Sequence, residues 1–270
     1  MINLTTTQEK RAYQTDIERV MTGIENTYTK RFNKILNKEF INMARFVDQG
    51  ILNETTLAVS KLNSDMVTLL SNMYMTTAKI FNKKVMKSIE EKAIRIPSTK
   101  SPTDEFWQSF NAWASTEAAQ KVVGLQKTSK NILAKVIARG LEAGESNREI
   151  SKRILDTGKI SNPHRARVIA RNETHTATVK SMDETVRSTR IEMMREWVSA
   201  RDDRTRTRLR GNDFEHFLDY PNGPNEEKTT MDGKFTGTGE ALSFPGDPAG
   251  SAANTIMCRC VIAYETIRNY

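Results

Sequence analysis

Cysteine is almost absent from this sequence: its 270 residues include only Cys258 and Cys260. Two thiols so close together cannot form the disulfide framework of a small secreted domain. The chain also lacks a run of about 18 apolar residues, which excludes a transmembrane helix of ordinary length. A polar stretch follows Met1, where a secretory signal would have an apolar segment. We therefore predict a protein made and used in a reducing cytoplasm, without a membrane anchor.

Helix-breaking residues are rare in the first third of the chain. Residues 1–96 contain no proline and only two glycines, Gly23 and Gly50. Their apolar residues recur at helical spacing, so we predict two or three long amphipathic helices. One apolar stripe consists of Phe32, Ile35, Leu36, Phe40 and Met43, and a second of Leu62, Met66, Leu69, Leu70, Met73 and Ile80.

Helical spacing resumes after a proline-containing break at 97–102, first over 106–113 and then in a further helix over 132–141. Ser146 and Glu149 have the spacing of a capping box, in which each side chain bonds the backbone of the other residue. The outline resembles a helix–turn–helix, and base contacts would then come from Asn147, Arg148, Lys152 and Arg153. The alternative is a plain helical hairpin.

The pattern changes again toward the C-terminus. We predict that the capped helix stops at Gly158 and that another begins after Pro163 and runs toward Met194. Seven of the thirteen glycines and four of the seven prolines lie after position 210. Turn signals and short apolar runs from Trp197 onward indicate short strands, the last of them at 260–264.

These patterns predict a mainly α protein with long N-terminal amphipathic helices and a small α+β C-terminal domain. We expect an N-terminal helical region over 1–96 and a middle helical region over 103–195. The loop-rich α+β domain would occupy 196–270.

Positive charge is unevenly distributed along the chain. Residues 1–195 hold 32 Lys and Arg against 21 Asp and Glu, whereas residues 196–270 hold 9 against 12. The net charge of +8 therefore comes from the first two thirds. A basic surface suits nucleic acid or an acidic protein face, and a solvated helical surface is the alternative.

Several short motifs follow one another in a fixed order in the second half of the chain. They are Ala170-Arg171-Asn172-Glu173-Thr174, Trp197-Val198-Ser199-Ala200, Asp203-Arg204-Thr205-Arg206, Met231-Asp232-Gly233-Lys234-Phe235, Phe244-Pro245-Gly246-Asp247-Pro248 and Cys258-Arg259-Cys260-Val261. This series, over roughly 130–265, resembles the phage Mu F-like head morphogenesis domain of SPP1-type minor head proteins. The order makes the resemblance specific, because each motif alone is weak.

The resemblance implies a minor capsid protein, not an enzyme, that sits inside the head of a tailed bacteriophage. Such a protein would bind the portal and act in head morphogenesis and in genome packaging or ejection. Scaffold, major capsid protein and packaged double-stranded DNA are further expected partners, and the host cytoplasm is the expected location during assembly. Two alternatives stay open: a DNA-binding protein delivered with the genome, and an enzyme or toxin-like module.

The resemblance also implies structural roles for a set of motif residues. They are Arg171, Glu173, Trp197, Asp203, Asp232, Gly233, Pro245, Asp247, Pro248, Cys258, Arg259 and Cys260. We also expect an internal ion pair across the domain, either Arg171 with Asp203 or Glu173 with Arg204.

Catalysis and metal binding are not predicted. Glu173 and His175 are two residues apart on a helix and face different directions, so we expect no acid–base pair there. We expect no cofactor, although Cys258 and Cys260 would share one face of a strand and have His216 as a third candidate zinc ligand. The alternative is that both cysteines pack as small hydrophobic residues.

Four arginines alternate along one segment: Arg204, Arg206, Arg208 and Arg210. In an extended backbone they would all project from one face. Their guanidinium groups would then suit the phosphates of DNA or an acidic surface of the portal. A solvated loop, partly neutralised by nearby aspartates, is the alternative.

Overall fold

A computed structural model describes residues 1–51, 55–96, 102–200 and 227–267, without the side chains of 55–63 and 102. Four long helices and a three-stranded sheet confirm the predicted fold class. The helices are α1 (Thr7–Asp48), α2 (Thr55–Glu91), α3 (Pro102–Glu142), α4 (Asn147–Thr189) and the single-turn α5 (Ala252–Thr255), and the strands are β1 (Met193–Val198), β2 (Lys228–Thr230) and β3 (Val261–Thr266).

The predicted helix break between Gly158 and Pro163 is wrong, because α4 continues through both residues. A Cβ atom at Gly158 would lie only 3.0 Å from the ring of Phe40, so this glycine permits close packing rather than a helix end. Pro163 lies on the exposed side of α4, while Asn162 and Ala166 are fully buried. Burial on both sides of the proline thus outweighs the loss of one helical hydrogen bond.

Two further boundaries differ from the prediction. The segments 106–113 and 132–141 belong to one helix, α3. Helix α4 ends at Thr189, so Met194 lies in β1 rather than in the helix. Arg190 ends α4 with a left-handed φ of 56°, and its amide bonds the carbonyl of Arg187.

The chain forms two compact units, each assembled from separate stretches of sequence. Unit 1 contains Met1–Ile24, Tyr74–Ala112 and Arg171–Tyr270, and unit 2 contains Glu25–Met73 and Trp113–Ala170. Each of the four long helices contributes to both units. The predicted division into three consecutive regions, 1–96, 103–195 and 196–270, stays a prediction.

Unit 2 is a helical unit in which apolar residues of three helices form one core. The core residues come from α1, α3 and α4, which confirms the helical spacing found in the sequence. They are Phe40, Met43, Ala44, Val47, Leu133, Val136, Ile150 and Ile154. The predicted capping box also forms, because Ser146 N donates to Glu149 Oε2 at 2.8 Å and Glu149 N donates to Ser146 Oγ at 3.4 Å.

Unit 1 contains the sheet, in which antiparallel strands lie in the order β2-β1-β3. Arg195 of the central strand faces Tyr264 of β3 and Thr229 of β2 in the register. The N-terminus extends this sheet, since Ile2 forms a parallel bridge to Tyr264. Asn3 N donates to the carbonyl of Tyr264 at 2.7 Å.

The second half of α4 is the central helix of unit 1. Seven consecutive residues, 173–179, are buried, so this segment is covered on all sides. Many of the buried side chains are hydroxyls that bond the helix's own carbonyls: Ser181 Oγ donates to Thr178 O at 2.9 Å and Thr185 Oγ1 to Ser181 O at 2.7 Å. These bonds remove the cost of burying the hydroxyl groups.

None of the described helices contains an apolar stretch long enough to cross a membrane.

Candidate functional site around buried Arg195

Arg195 lies at the centre of the motif-bearing part of unit 1. It is on the middle strand β1, and its side chain is 0% exposed. The guanidinium donates from Nε to the carbonyl of Thr230 at 3.1 Å, from Nη1 to that of Ser243 at 2.7 Å, and from Nη2 to that of Gly233. It also lies over the ring of Phe235, 5.3 Å from the centroid. One side chain therefore ties the segment 230–243 to the sheet.

Asp183 of α4 supplies the countercharge. Its Oδ1 lies 3.4 Å from Arg195 Nη1, and its Oδ2 accepts a bond from Arg187 Nε at 2.9 Å. Arg187 reaches further, to Asp232 Oδ1 at 2.9 Å and to the carbonyl of Met231. The Met-Asp-Gly motif is thus held by two arginines that share one buried carboxylate. A buried charge is tolerated when it is paired and hydrogen-bonded in this way.

The Phe-Pro-Gly-Asp-Pro motif forms a turn against α4. Gly246 has a φ of 77°, and a Cβ atom there would lie 2.4 Å from Nδ1 of His175, so only glycine fits. Thr176 Oγ1 donates to the carbonyl of Gly246 at 3.0 Å. Asp247 is buried and accepts backbone bonds from Ser243 at 2.7 Å and Ala249 at 3.0 Å. Its carboxylate therefore joins the two ends of the turn.

The Cys-Arg-Cys motif lies against α4 and the first turns of α1. His175 Nε2 bonds the carbonyl of Cys260 at 2.7 Å, and Gln14 of α1 donates to the carbonyl of Arg259 at 3.3 Å. The carboxylate of Glu18 lies 3.3 Å from Arg259 Nη1 and 3.6 Å from Arg171 Nη2. Two motif arginines therefore share one carboxylate of α1.

Within the described residues, Arg171 and Glu173 of the first motif both have partners in unit 1. Arg171 contacts Glu18, and Glu173 accepts a bond from the hydroxyl of Tyr74 at 2.6 Å. The partners named in the sequence analysis, Asp203 and Arg204, lie outside the described residues, so pairing with them stays a prediction.

Trp197 is another motif residue in the core of unit 1. Its side chain is fully buried, and its ring meets that of Phe235 edge to face, with centroids 5.4 Å apart. Such a pair adds about 1 kcal/mol beyond the area it buries. The remaining motif residues lie at the surrounding turns: Pro245 is buried, Pro248 is half-buried, and the side chain of Asp232 is 95% exposed.

The zinc hypothesis is not decided by the described residues. Cys258 and Cys260 are both buried and precede β3 rather than lying on it. No cluster of three or more His, Cys, Asp or Glu side chains suited to a metal occurs in the described part of the chain. His216 lies outside that part, as do Arg204, Arg206, Arg208 and Arg210. These candidates stay predictions.

The sequence analysis missed the residues that hold the site together. Arg195, Asp183 and Arg187 belong to none of the quoted motifs, and the contribution of α1 was not expected. In α1, Lys10 pairs with Glu196 at 2.6 Å, and Tyr13 donates from its hydroxyl to the carbonyl of Ile262 at 2.7 Å. No strand was predicted at Arg195, because the predicted helix ran toward Met194 and the predicted strands began at Trp197.

The arrangement holds the loops of unit 1 in place. His175 uses one ring nitrogen on the carbonyl of Cys260, and Gly246 covers the other. The carboxylates of Asp183, Asp247 and Glu173 are all buried and bonded to named partners.

The motif-bearing half of the chain matches a known protein family. Residues 131–263 match the family model described as phage Mu protein F like protein. No curated protein and no solved structure gives a significant match. The matched range includes every motif quoted above and confirms the resemblance seen in the sequence. Residues 131–263 are thus similar to the phage Mu protein F like family.

Proposed function

We propose that this chain is a minor head protein that binds the portal inside the phage head and acts in head morphogenesis and in genome packaging or ejection. The family match supports this proposal, because it covers the part of the chain whose motifs fold around Arg195. Among the motif side chains there, Asp247 accepts a backbone amide bond and Arg259 pairs with a carboxylate of the same unit, as expected for a structural protein.

Charge distribution supports a division of tasks between the units. Unit 2 holds 17 Lys and Arg against 10 Asp and Glu, whereas unit 1 holds 24 against 23. Almost all of the net charge of +8 therefore belongs to unit 2. In this proposal the nearly neutral unit 1 binds the portal, and the basic helices of unit 2 are presented toward packaged DNA or scaffold.

Co-expression with the cognate portal protein tests the proposal. We expect a discrete complex of fixed mass in size-exclusion chromatography with light scattering. Asp232→Ala is a suitable probe of unit 1, because this motif side chain is 95% exposed. A chain that elutes free of the portal under every buffer condition would contradict the proposal.

The alternating arginines give a second test of the same proposal. Replacing Arg204, Arg206, Arg208 and Arg210 by Gln is expected to weaken association with the portal or DNA. A matched control replaces four exposed cations of α3 in unit 2: Lys127, Lys130, Lys135 and Arg139. Portal binding that falls equally in both variants would assign the effect to net charge rather than to the arginine segment.

A DNA-binding protein delivered with the genome is the second candidate function, and the excess of 17 cations over 10 acids in unit 2 favours it. If the chain shifts duplex DNA at low salt yet never joins the portal, this candidate replaces the first. An enzyme or toxin-like module receives no support from the described site, because His175 is buried and both its ring nitrogens are covered.

A further inference from the structure

We propose that one exposed face of α4 in unit 2 binds duplex DNA through its phosphates, without reading base sequence. The face consists of Arg148, Lys152, Lys159 and Arg167, and we call it the α4 basic face. This inference rests on the proposed function only in assuming that the chain meets packaged DNA.

Helical geometry places these four cations together. With 100° per residue, they fall within an arc of about 100° on one side of α4. A rise of 1.5 Å per residue spreads them over about 28 Å of helix length. All four are exposed, whereas the opposite side of the helix contributes Ile150 and Ile154 to the core. The α4 basic face is therefore a row of exposed cations on the side of α4 that points away from the core of unit 2.

Most of these charges are available to a partner. Within the described part of the chain, Arg148, Lys152 and Arg167 form no ion pair. Lys159 is 75% exposed and lies 3.4 Å from Asp156, a contact worth little at the surface. By contrast, Arg187 and Arg195 of the site in unit 1 bind carboxylates and carbonyls of that unit.

The start of α4 is not built to read bases. A recognition helix contacts base edges with side chains near its N-terminus. Here the guanidinium of Arg153 is bound to the carboxylate of Glu145, with Nε 2.9 Å from Oε2. It is therefore not free to contact a base. Ser146 and Glu149 are occupied with each other in the capping box. The remaining cations are exposed point contacts, which suit phosphates.

Duplex DNA fits this row better than an acidic protein surface does. DNA presents one negative charge per about 1.7 Å of its axis, counted over both strands, so a row of cations can bind it without matching an exact spacing of its charges. An acidic protein would need carboxylates at matching positions. A stable protein interface would also need an apolar anchor, and the nearest candidate, Ile160, is 81% exposed beside the row. Ile160 therefore separates the two partners experimentally.

The test uses the full chain and fluorescently labelled duplexes of two unrelated sequences. The variant Arg148→Gln/Lys152→Gln/Arg167→Gln removes three charges from the α4 basic face. We expect affinity at low salt to fall by at least about tenfold. The slope of log affinity against log salt should become shallower by about 2.7, since each phosphate contact contributes about 0.9. Equal affinity for the two sequences is expected throughout.

A matched control removes three exposed cations from unit 1, in the variant Lys79→Gln/Lys83→Gln/Lys92→Gln. Its slope should change by less than about one. In the opposite direction, Asp156→Asn removes the acid that interrupts the row and should tighten binding. Circular dichroism melting of each variant verifies that the helices remain folded.

Three results would overturn the inference: equal losses in both triple variants, a clear preference for one duplex sequence, or DNA binding that is unchanged in the α4 triple variant. If DNA binding is unchanged in the α4 triple variant while Ile160→Ala weakens portal binding, the face is a protein contact instead. Portal co-elution of the α4 triple variant is measured in parallel. The DNA inference and the proposed portal function can thus fail independently of each other.

Discussion

The guanidinium of Arg195 lies 3.4 Å from the carboxylate of Asp183, and the two side chains are 0% and 4% exposed. The pair joins the central strand of the sheet to the central helix of unit 1. Its other bonds go to carbonyls of the motif-bearing segment, so the position of that segment depends on a buried charge pair. Breaking such a pair by removing one partner costs about 3–5 kcal/mol, because the remaining charge stays buried.

We therefore expect Asp183→Asn and Arg195→Met each to lower the free energy of unfolding by about 3 kcal/mol. The double variant should lose less than the sum, because the contact between Arg195 and Asp183 is then lost only once. Denaturant unfolding followed by circular dichroism measures all three values. Strict additivity would show that the two charges do not interact.

Asp232→Asn is the control for this pair. Asp232 also bonds an arginine, Arg187, but its side chain is 95% exposed. Surface ion pairs of this kind contribute about 0–1 kcal/mol. A loss from Asp232→Asn as large as that from Asp183→Asn would contradict the importance of burial.

Gly246→Ala tests the close approach of the Gly-Asp turn to α4. The new methyl group would meet His175 Nδ1 at 2.4 Å, and the φ of 77° disfavours any side chain. Gly144→Ala is the control, because Gly144 has a φ of 69° but no atom within 4 Å of the new Cβ. We expect a loss of about 1 kcal/mol for the control and at least about 2 kcal/mol for Gly246→Ala in thermal unfolding.

Glu39 of unit 2 predicts a pH dependence of stability. Burial beside a cavity of about 20 Å³ raises the pKa of Glu39, although Ser129 Oγ donates to it at 2.7 Å. Because the pKa of Glu39 is higher in the folded chain than in the unfolded chain, the folded chain holds the proton more tightly. Stability from this group is present below the ordinary glutamate pKa and is lost as pH rises through the raised pKa.

Glu39→Gln removes this titration. We expect the stability of the variant, relative to the native chain, to increase as pH rises from about 4 to about 8. Unfolding by denaturant at several pH values gives the comparison. Glu142→Gln, at an exposed position of α3, is the matched control and should leave the pH profile unchanged. A profile that Glu39→Gln does not alter would contradict the raised pKa.

Ser146→Ala tests the capping box at the start of α4. The hydroxyl accepts from the Glu149 amide and also donates to its carboxylate at 2.7 Å, so its removal should cost about 1 kcal/mol. Ser251→Ala is a direct control, because Ser251 is the N-cap of α5 but makes no side-chain capping bond. A change within about 0.5 kcal/mol is expected there. Equal effects of the two substitutions would rule out a specific capping contribution.

Local patterns predicted the helices well where apolar spacing was regular. Most described residues of the two predicted stripes, Phe40 and Leu70 among them, are buried as expected, and Ser146 caps α4. The prediction failed where a local breaker was outweighed by packing, as at Gly158, which allows the ring of Phe40 to approach. It also missed how fully the second half of α4 is buried, because hydroxyls such as those of Ser181 and Thr185 satisfy themselves within the helix.

The motifs of the candidate site were predictable from the sequence, but the central pair of Arg195 and Asp183 was not. Gly246 and Asp247 stand out in the sequence through their turn chemistry and the order of the motifs. Arg195 does not, because its role depends on Asp183 and on carbonyls 35 to 48 residues away. The participation of Glu18 depends on contacts spanning more than 150 residues and has no local signal.

The sequence by itself therefore determined the helical class, the capped start of α4, the uneven charge and the family of residues 131–263. These properties follow from spacing, backbone preferences and composition, which act over a few residues or are simple sums. Only the tertiary structure decided that distant stretches form each compact unit and that Asp183 is the partner of Arg195. The physical reason is that burial and charge pairing depend on which surfaces meet in space, and a buried guanidinium is stable only where folding brings a carboxylate and free carbonyls to it.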